Sequence, residues 1–253
     1  MRHPRSTFAG MLALAALSAG AAPAFAQSDS TATSSPPAQV AVPLHPAGSG
    51  AKMQYLGGGY FVGAFPMGDW GKIAGFGLAL DGSSITRKPG KKFALRSNTG
   101  LLYNFSRTVD VPASNQSGTD KLSIETTNWS LFFGVGPEFS MPNKDVTPFI
   151  FGTVGFDTYW TDSELSGTAN GAPYSAKHGD SRIAFAWSGG LGVRREVAPG
   201  HLAEISAEYR SGIRHDFLLP EDVNTFGGTV NAKRDSHTSD QILVRLGTVF
   251  GTP

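Results

Sequence analysis

The sequence has 253 residues, of which 32 are glycine, 16% are charged and none is cysteine. The lack of cysteine excludes disulfides, thiolate catalysis and thiolate metal sites. Low charge with abundant glycine and aromatic residues favours a β protein with one apolar face over a disordered chain or a helical bundle. The formal net charge is +1. Without Arg2 and Arg5, 19 basic residues face 20 acidic ones, so no basic excess indicates a nucleic-acid partner.

Residues 1–26 have the three parts of a secretory signal peptide. Two arginines form its positive region, 8–22 is an apolar core, and Ala24-Phe25-Ala26 is an A-x-A cleavage site. The core is too short and too rich in alanine for a membrane anchor. We therefore expect the mature chain to begin at Gln27, and residues 27–51, rich in Ser, Thr, Ala and Pro, to form a flexible periplasmic leader.

Apolar and polar residues alternate in eight runs between residues 52 and 250. A period of two indicates a β-strand. The alternation is clearest in four of the runs, 93–105, 182–197, 202–214 and 241–250, whereas the first run and 147–161 leave open which side chains share the apolar face. In chain order the predicted strands are 53–65, 73–82, 93–105, 122–140, 147–161, 182–197, 202–214 and 241–250.

The connections between these runs alternate in length. Turns at 142–145 and 198–200 are short and the one at 83–91 is of medium length. Long polar segments lie at 107–120, 162–180 and 215–238. Outer-membrane barrels have short periplasmic turns and long external loops, and only the short first external connection, at 66–71, departs from this order. The fold predicted is all-β, a transmembrane antiparallel up-and-down barrel of about eight strands.

The polar face of the predicted strands carries charges of both signs, interleaved with glycine. An eight-stranded lumen is narrow and is filled by side chains, so we predict a plugged lumen without a large aqueous pore. Arg194 and Glu204 lie nearly equidistant from the turn at 198–200 and are expected to pair. The predicted lumen charge network is Arg96, Glu138, Arg194, Glu204, Glu208, Arg210 and Arg245.

Aromatic residues on the opposite face are predicted to form two interfacial girdles. The inner girdle would contain Phe93, Phe139 and Phe250, and the outer one Tyr103, Phe105, Trp129, Trp160, Trp187 and Tyr209.

Three stretches carry a family resemblance: 58–63 (GGYFVG) with 66–69 (PMGD), 129–139 (WSLFFGVGPEF), and the last strand, 241–250. Over residues 52–250 the sequence resembles the small outer-membrane β-barrel family typified by OmpA, OmpX and OmpW. The resemblance implies a bacterial outer-membrane location, contact with outer-membrane lipid and lipopolysaccharide, and insertion by the barrel assembly machinery.

That machinery reads an aromatic last residue preceded by apolar residues at alternate positions. The resemblance assigns this insertion signal to Ile242, Val244, Leu246 and Phe250. Thr248 stands where an aromatic residue is usual, and residues 251–253 are expected to form a short C-terminal tail.

His237-Thr238-Ser239 resembles the His-x-Ser pair of outer-membrane lipid A deacylases, in which an acidic residue orients the histidine. The acids nearby, Glu221, Asp222 and Asp240, are not placed by the sequence. We therefore interpret the pair as polar residues at the mouth of the last strand.

Other polar groups are also better explained without chemistry. His215-Asp216 with Asp222 resembles the residues of outer-membrane proteases but follows a strand end, where polar residues are expected. Asp157, Asp162 and Glu164 match no cation-binding loop. The glycine runs at 57–59 and 189–192 are followed by no helix and so are not phosphate loops. We expect no catalytic, cofactor or metal site.

Three functions remain open at this point. The first is a structural or surface-interaction role through the external loops, with an external ligand that the sequence does not name. The second is a narrow channel for small or apolar solutes. The third is a lipid A-modifying enzyme. Fold alone does not choose among them.

Overall fold

The computed structural model describes residues 53–112, 116, 120–141, 145–226, 229–233 and 235–251, with the backbone alone at 213–215 and 235. The predicted signal peptide and leader, turn residues 142–144 and the last two residues lie outside the described residues. No helix in the described part of the chain has the length and apolar character needed to cross a bilayer.

The described residues are mostly in β-strands, which we number in chain order. They are β1 (Gln54–Pro66), β2 (Gly77–Arg87), β3 (Phe93–Asp110), β4 (Lys121–Ser140), β5 (Thr147–Ala169), β6 (Ala172–Ala198), β7 (His201–Phe217), β8 (Val223–Phe226), β9 (Thr229–Ala232) and β10 (Asp235–Gly251). A one-turn helix, α1 (Trp70–Ile73), follows β1, and a 3-10 turn (Pro220–Asp222) precedes β8.

Eight of these strands close into one barrel. β1 to β7 pair antiparallel in sequence order, β10 pairs with β7, and β1 pairs with β10 to complete the ring. The predicted eight-stranded up-and-down barrel is therefore confirmed. The last strand runs through Gly251, which lies opposite Leu56 and was expected in the tail.

The barrel exposes its apolar side chains and buries its charged ones. Leu246, Phe61, Leu80, Leu101 and Leu131 lie directly opposite one another on five adjacent strands and all face outward. The outward faces predicted for 93–105, 122–140, 182–197 and 241–250 are confirmed, as is that of 202–214 as far as Gly212. Other exposed outward side chains include Tyr55, Phe65, Leu78, Phe93, Leu95, Phe133, Ile150, Val154, Phe156, Ile183, Phe185, Leu191, Ile205, Val244 and Phe250.

The inward face is less uniformly polar than the sequence suggested. Leu243 and Val249 of β10 point inward, although their neighbours 242, 244, 246 and 250 point outward. They pack with inward side chains of β1, β2 and β3 in an apolar cluster beside the charges. The cluster contains Leu56, Tyr60, Val62, Ala64, Ala79, Ile85, Leu102, Leu243 and Val249.

Several strands differ in length from the prediction. Segment 162–180, predicted as a loop, forms the outer part of the β5–β6 hairpin, paired residue by residue as far as Ala169 and Ala172. Its turn residues Asn170 (φ 53°) and Gly171 (φ 72°) have the left-handed backbone that tight hairpin turns require. Serine, threonine and charged residues occupy both faces there, so the sequence lacks the apolar alternation that identifies a strand.

The first and last external connections also contain structure that was not predicted. The second strand was predicted to begin at residue 73, but β2 begins at Gly77. Ile73 instead ends the helix α1, where its side chain is buried. The long segment 215–238 contains the 3-10 turn and the β8–β9 hairpin. Val223 of this segment packs beneath the extended strands together with Val111, Leu122, Ile124, Leu165 and Leu218.

β6 has an open edge outside the closed ring. It pairs with β5 along its whole length, but its pairing with β7 begins only at Ala186 opposite Gly212. Residues 172–185 of β6 therefore have a strand neighbour on one side only among the described pairings.

Candidate functional site

Four charged side chains form an alternating ring in the inner half of the lumen. Arg194 donates to both oxygens of Glu138 (2.6 and 2.7 Å) and to Glu204 Oε2 (2.7 Å). Arg96 Nη1 and Nη2 donate to the same two carboxylates, each at 3.1 Å. All four side chains are almost fully buried. Two guanidinium groups and two carboxylates thus balance each other in a ring without net charge.

The pairing predicted around the β6–β7 turn can be seen directly. Arg194 and Glu204 are direct cross-strand neighbours, and the bond between them joins their side chains on the lumen side. The sequence did not indicate that Arg96 and Glu138, on β3 and β4, complete the ring.

A second charge cluster lies around Arg245 on β10. Arg245 donates to Asp81 and to Glu208, and Arg210 donates to Glu208 at 2.8 Å. Asp81 was not among the predicted lumen charges, although its position next to the outward Leu80 in an alternating strand indicates an inward side chain. All seven predicted lumen charges therefore lie buried inside the barrel, divided between two clusters.

Aromatic rings separate and cover the arginines. The Arg194 guanidinium lies 4.0 Å from the Phe149 ring centroid, Arg210 lies 3.6 Å from Phe132, and Arg96 lies 4.6 Å from Phe151. Such contacts stabilise a cation that has lost its water. The sequence left the direction of Phe149 and Phe151 open and did not single out Phe132 as a lumen residue.

The lumen glycines make room for these rings. A Cβ added at Gly192 would lie 2.5 Å from the Phe149 ring, and one at Gly100 would lie 2.5 Å from Phe132. At both positions the atom nearest to such a Cβ is an aromatic ring carbon, so the absence of a side chain leaves space for the ring.

The candidate His-Ser pair is not formed. Ser239 is completely buried, and its hydroxyl lies 2.6 Å from the Tyr159 hydroxyl, which donates to Asp157 at 2.9 Å. His237 is separated from Ser239 by an irregularity in the β7–β10 register. Its Nδ1 lies 3.0 Å from Asp69, and its Nε2 is buried without a hydrogen bond, 3.9 Å from Asp222. The serine is thus inaccessible, and the histidine is bonded to an acid that the sequence did not suggest.

The external mouth is covered by a small apolar cap. Trp70 and Ile73 of α1 pack with Phe217 and Leu219, and the Trp70 ring also contacts Tyr159 (5.9 Å between centroids). The cap thus closes the lumen above the charged clusters.

Lys72 forms ion pairs that link two segments of the cap. Its Nζ bonds Asp69 (2.8 Å) and Glu221 (2.6 Å), joining the first external connection to the last. The bond from Lys72 holds the pKa of each carboxyl below its usual range, with a further lowering of the Asp69 pKa from His237. These carboxylates are therefore charged at neutral pH.

Other candidate groups do not come together. Asp157 points into the lumen, whereas Asp162 and Glu164 point out of the same strand, and Glu164 pairs with Lys177. The His215 side chain lies outside the described residues, and Asp216 is 3.5 Å from Arg182. Among the described residues, no three acidic or histidine side chains converge as a metal site.

Little free space remains between the side chains. One cavity, beside Arg210 and Phe132, and another, between the open edge of β6 and residues 216–218, each hold about 10 Å³. That is room for about one water molecule.

The fold and the lumen define a class: a small up-and-down β-barrel of the transmembrane type, with an apolar exterior and a filled, charged interior. No family model matches the chain, and no curated protein does. Solved structures of similar architecture exist. A major outer membrane protein of Thermus thermophilus is 13% identical, with 78% of this chain and 99% of that chain covered and a TM-score of 0.44.

Two further structures are comparable. Ail, the attachment invasion locus protein of Yersinia pestis, solved with the heparin analogue sucrose octasulfate, is 12% identical over 79% of this chain and 97% of that chain, with a TM-score of 0.38. The Escherichia coli outer membrane protease OmpT is 8% identical over 79% and 95%, also with a TM-score of 0.38. The likeness to each is one of fold.

Proposed function

We propose that this protein is an integral protein of the bacterial outer membrane that acts through its external surface and not as a channel. One observation carries the proposal: a closed barrel has an apolar band outside and a lumen filled with paired charges inside. In water, each large exposed apolar side chain forgoes about 1.5–3 kcal/mol of burial. A band around the whole barrel is explained by a lipid environment.

Export and membrane insertion are each assigned to one end of the chain. The predicted signal peptide exports the chain, and the outward-facing Ile242, Val244, Leu246 and Phe250 on β10 present the alternate apolar pattern of the insertion signal. We propose that these four residues are recognised by the barrel assembly machinery. The apolar band then contacts outer-membrane lipid, including the acyl chains of lipopolysaccharide.

The interaction role is supported by the open edge of β6. Outward apolar residues on this strand end at Ile183, so the edge beyond it lies outside the band. Residues 178–182 of this edge face 216–218, whereas 172–177 extend for about 20 Å at about 3.3 Å per residue. An unpaired strand edge offers backbone donors and acceptors to an extended segment of another chain. We propose that the external partner binds there.

The channel alternative is disfavoured by the contents of the lumen. A solute would have to displace the apolar cap and then separate two clusters of buried ion pairs, each held by several hydrogen bonds.

Membrane fractionation tests the proposal directly. We expect the mature protein to remain in the outer-membrane fraction after a carbonate wash. Its electrophoretic mobility should differ between heated and unheated samples. The purified protein should give no porin-sized conductance in a planar bilayer. Recovery in the soluble periplasm would contradict the membrane assignment, and a large stable conductance would favour the channel.

Lipid A analysis tests the enzyme alternative. Overexpression of the wild-type protein should leave lipid A fully acylated, because the Ser239 hydroxyl is buried and bonded to Tyr159 instead of to a histidine. His237→Ala and Ser239→Ala should give the same lipid A mass spectrum as wild type. An acyl chain lost with the wild type and retained with Ser239→Ala would overturn this assignment.

A further inference from the structure

The β2–β3 turn at the inner end of the barrel is strongly basic. It reads Arg87-Lys88-Pro89-Gly90-Lys91-Lys92, with four cations and no acid in six residues. The three lysines are exposed. No role in the lumen, the cap or the open edge accounts for them.

The backbone of the turn is held in a defined conformation. Lys91 N donates to Lys88 O at 3.1 Å, and Gly90 has φ 71° after a proline. This is the pattern of a type II turn, which restricts the backbone and sets Lys88 and Lys91 side by side. The carbonyl of Lys92 accepts a hydrogen bond from Ser140 N at 2.8 Å, which fastens the turn to β4.

The three ammonium groups have no anionic partner within the described residues, whose ion pairs involve none of them. Arg87 differs, because its Nε donates to Gln54 at 2.8 Å and its side chain is half-buried. The lysines therefore present an uncompensated positive patch.

The patch lies where lipid headgroups would meet the barrel. Phe93, packed on Phe139 at 4.9 Å, and Leu95 are exposed outward residues at the inner end of β3. At about 3.3 Å per residue, Lys92 is within about 10 Å of Leu95 along the strand. The polar layer on each side of the hydrocarbon is about 6 Å thick. Flexible lysine side chains at that distance reach the phosphate level.

The opposite end of the barrel has the opposite charge. External segments 66–76, 106–125, 161–182 and 213–240 together contain 12 acidic and 8 basic residues. An anionic lipid is therefore attracted to the inner end of the molecule and not to the outer one.

We propose that Lys88, Lys91 and Lys92 form a docking surface for the headgroups of anionic phospholipids in the inner leaflet. This proposal rests on the membrane location argued above. Each lysine near an anionic surface contributes about 1 kcal/mol, or about five-fold in lipid association. The attraction weakens with salt, because the Debye length falls to about 3 Å at 1 M.

Lipid selectivity of the full barrel in bilayers provides the test. The association of spin-labelled phosphatidylglycerol is compared with that of spin-labelled phosphatidylcholine in phosphatidylcholine bilayers at low salt. Wild type should prefer phosphatidylglycerol at least five-fold. The triple variant Lys88→Gln/Lys91→Gln/Lys92→Gln should bind the two lipids almost equally, as should wild type in 1 M salt.

The matched control is Lys121→Gln/Lys177→Gln/Lys233→Gln, which removes three exposed lysines from the external end. It should keep the wild-type selectivity. Unchanged selectivity in the inner variant, or an equal loss in the control, would overturn the docking surface. If neither labelled lipid were immobilised by wild type, the membrane location itself would fail, which separates the two proposals.

Discussion

Replacing Arg194 with methionine is expected to destabilise the barrel by about 3–5 kcal/mol. The substitution removes the bidentate partner of Glu138 and the cross-strand partner of Glu204, and leaves Arg96 to balance two buried carboxylates. Urea unfolding of the refolded barrel in lipid measures the loss.

The double variant Arg194→Met/Glu204→Gln provides the decisive comparison. It leaves Arg96 with Glu138 and restores neutrality, so it should be more stable than Arg194→Met alone by about 1–3 kcal/mol. Arg195→Met is the matched control, because the neighbouring arginine on the same strand is exposed, and its loss should stay within about 0.5 kcal/mol. A double variant no more stable than Arg194→Met would rule out the coupled ring.

Leu80→Arg should cost about 2–4 kcal/mol when the barrel is in lipid. Leu80 is 63% exposed and lies in the outward row between Phe61 and Leu101. If the outward face contacts lipid, the arginine side chain loses its hydration and the barrel is destabilised. If that face contacts water, the side chain stays hydrated and the free energy of unfolding changes little. The expected loss is read from the same urea unfolding experiment.

Phe226→Arg is the control for this prediction. Phe226 is even more exposed, at 82%, but it ends β8 in the external segment. Its replacement should change stability by less than about 0.5 kcal/mol. Equal, small effects at both positions would show that the apolar band does not face lipid.

The sequence predicted the fold well because the barrel repeats one local rule. Alternation of side chains identifies a strand and its two faces without any knowledge of distant contacts, and a short turn such as 198–200 sets the register beside it. Arg194 and Glu204 could therefore be paired in advance. The same rule indicates an inward Asp81, because its neighbour Leu80 faces outward.

The features that could not be predicted depend on contacts between residues far apart in the sequence, which no local pattern indicates. Run 147–161 carries aromatic residues on both faces, so its sequence does not determine whether Phe149 and Phe151 point inward. Their direction is set by the pairing of this strand within the closed barrel. The cap joins Asp69 to His237 across a separation of 168 residues. Neither residue belongs to a motif that points to the other, so this contact was missed.

The seam of the barrel has a consequence for how the chain folds. β1 and β10 pair over 11 positions, from Leu56 opposite Gly251 to Pro66 opposite Gln241. These contacts span most of the sequence, and closing such a long loop is entropically unfavourable before other contacts form. High contact order slows folding. Until the seam closes, both edge strands carry unpaired backbone groups beside exposed apolar side chains, so the open sheet is the species most prone to aggregate.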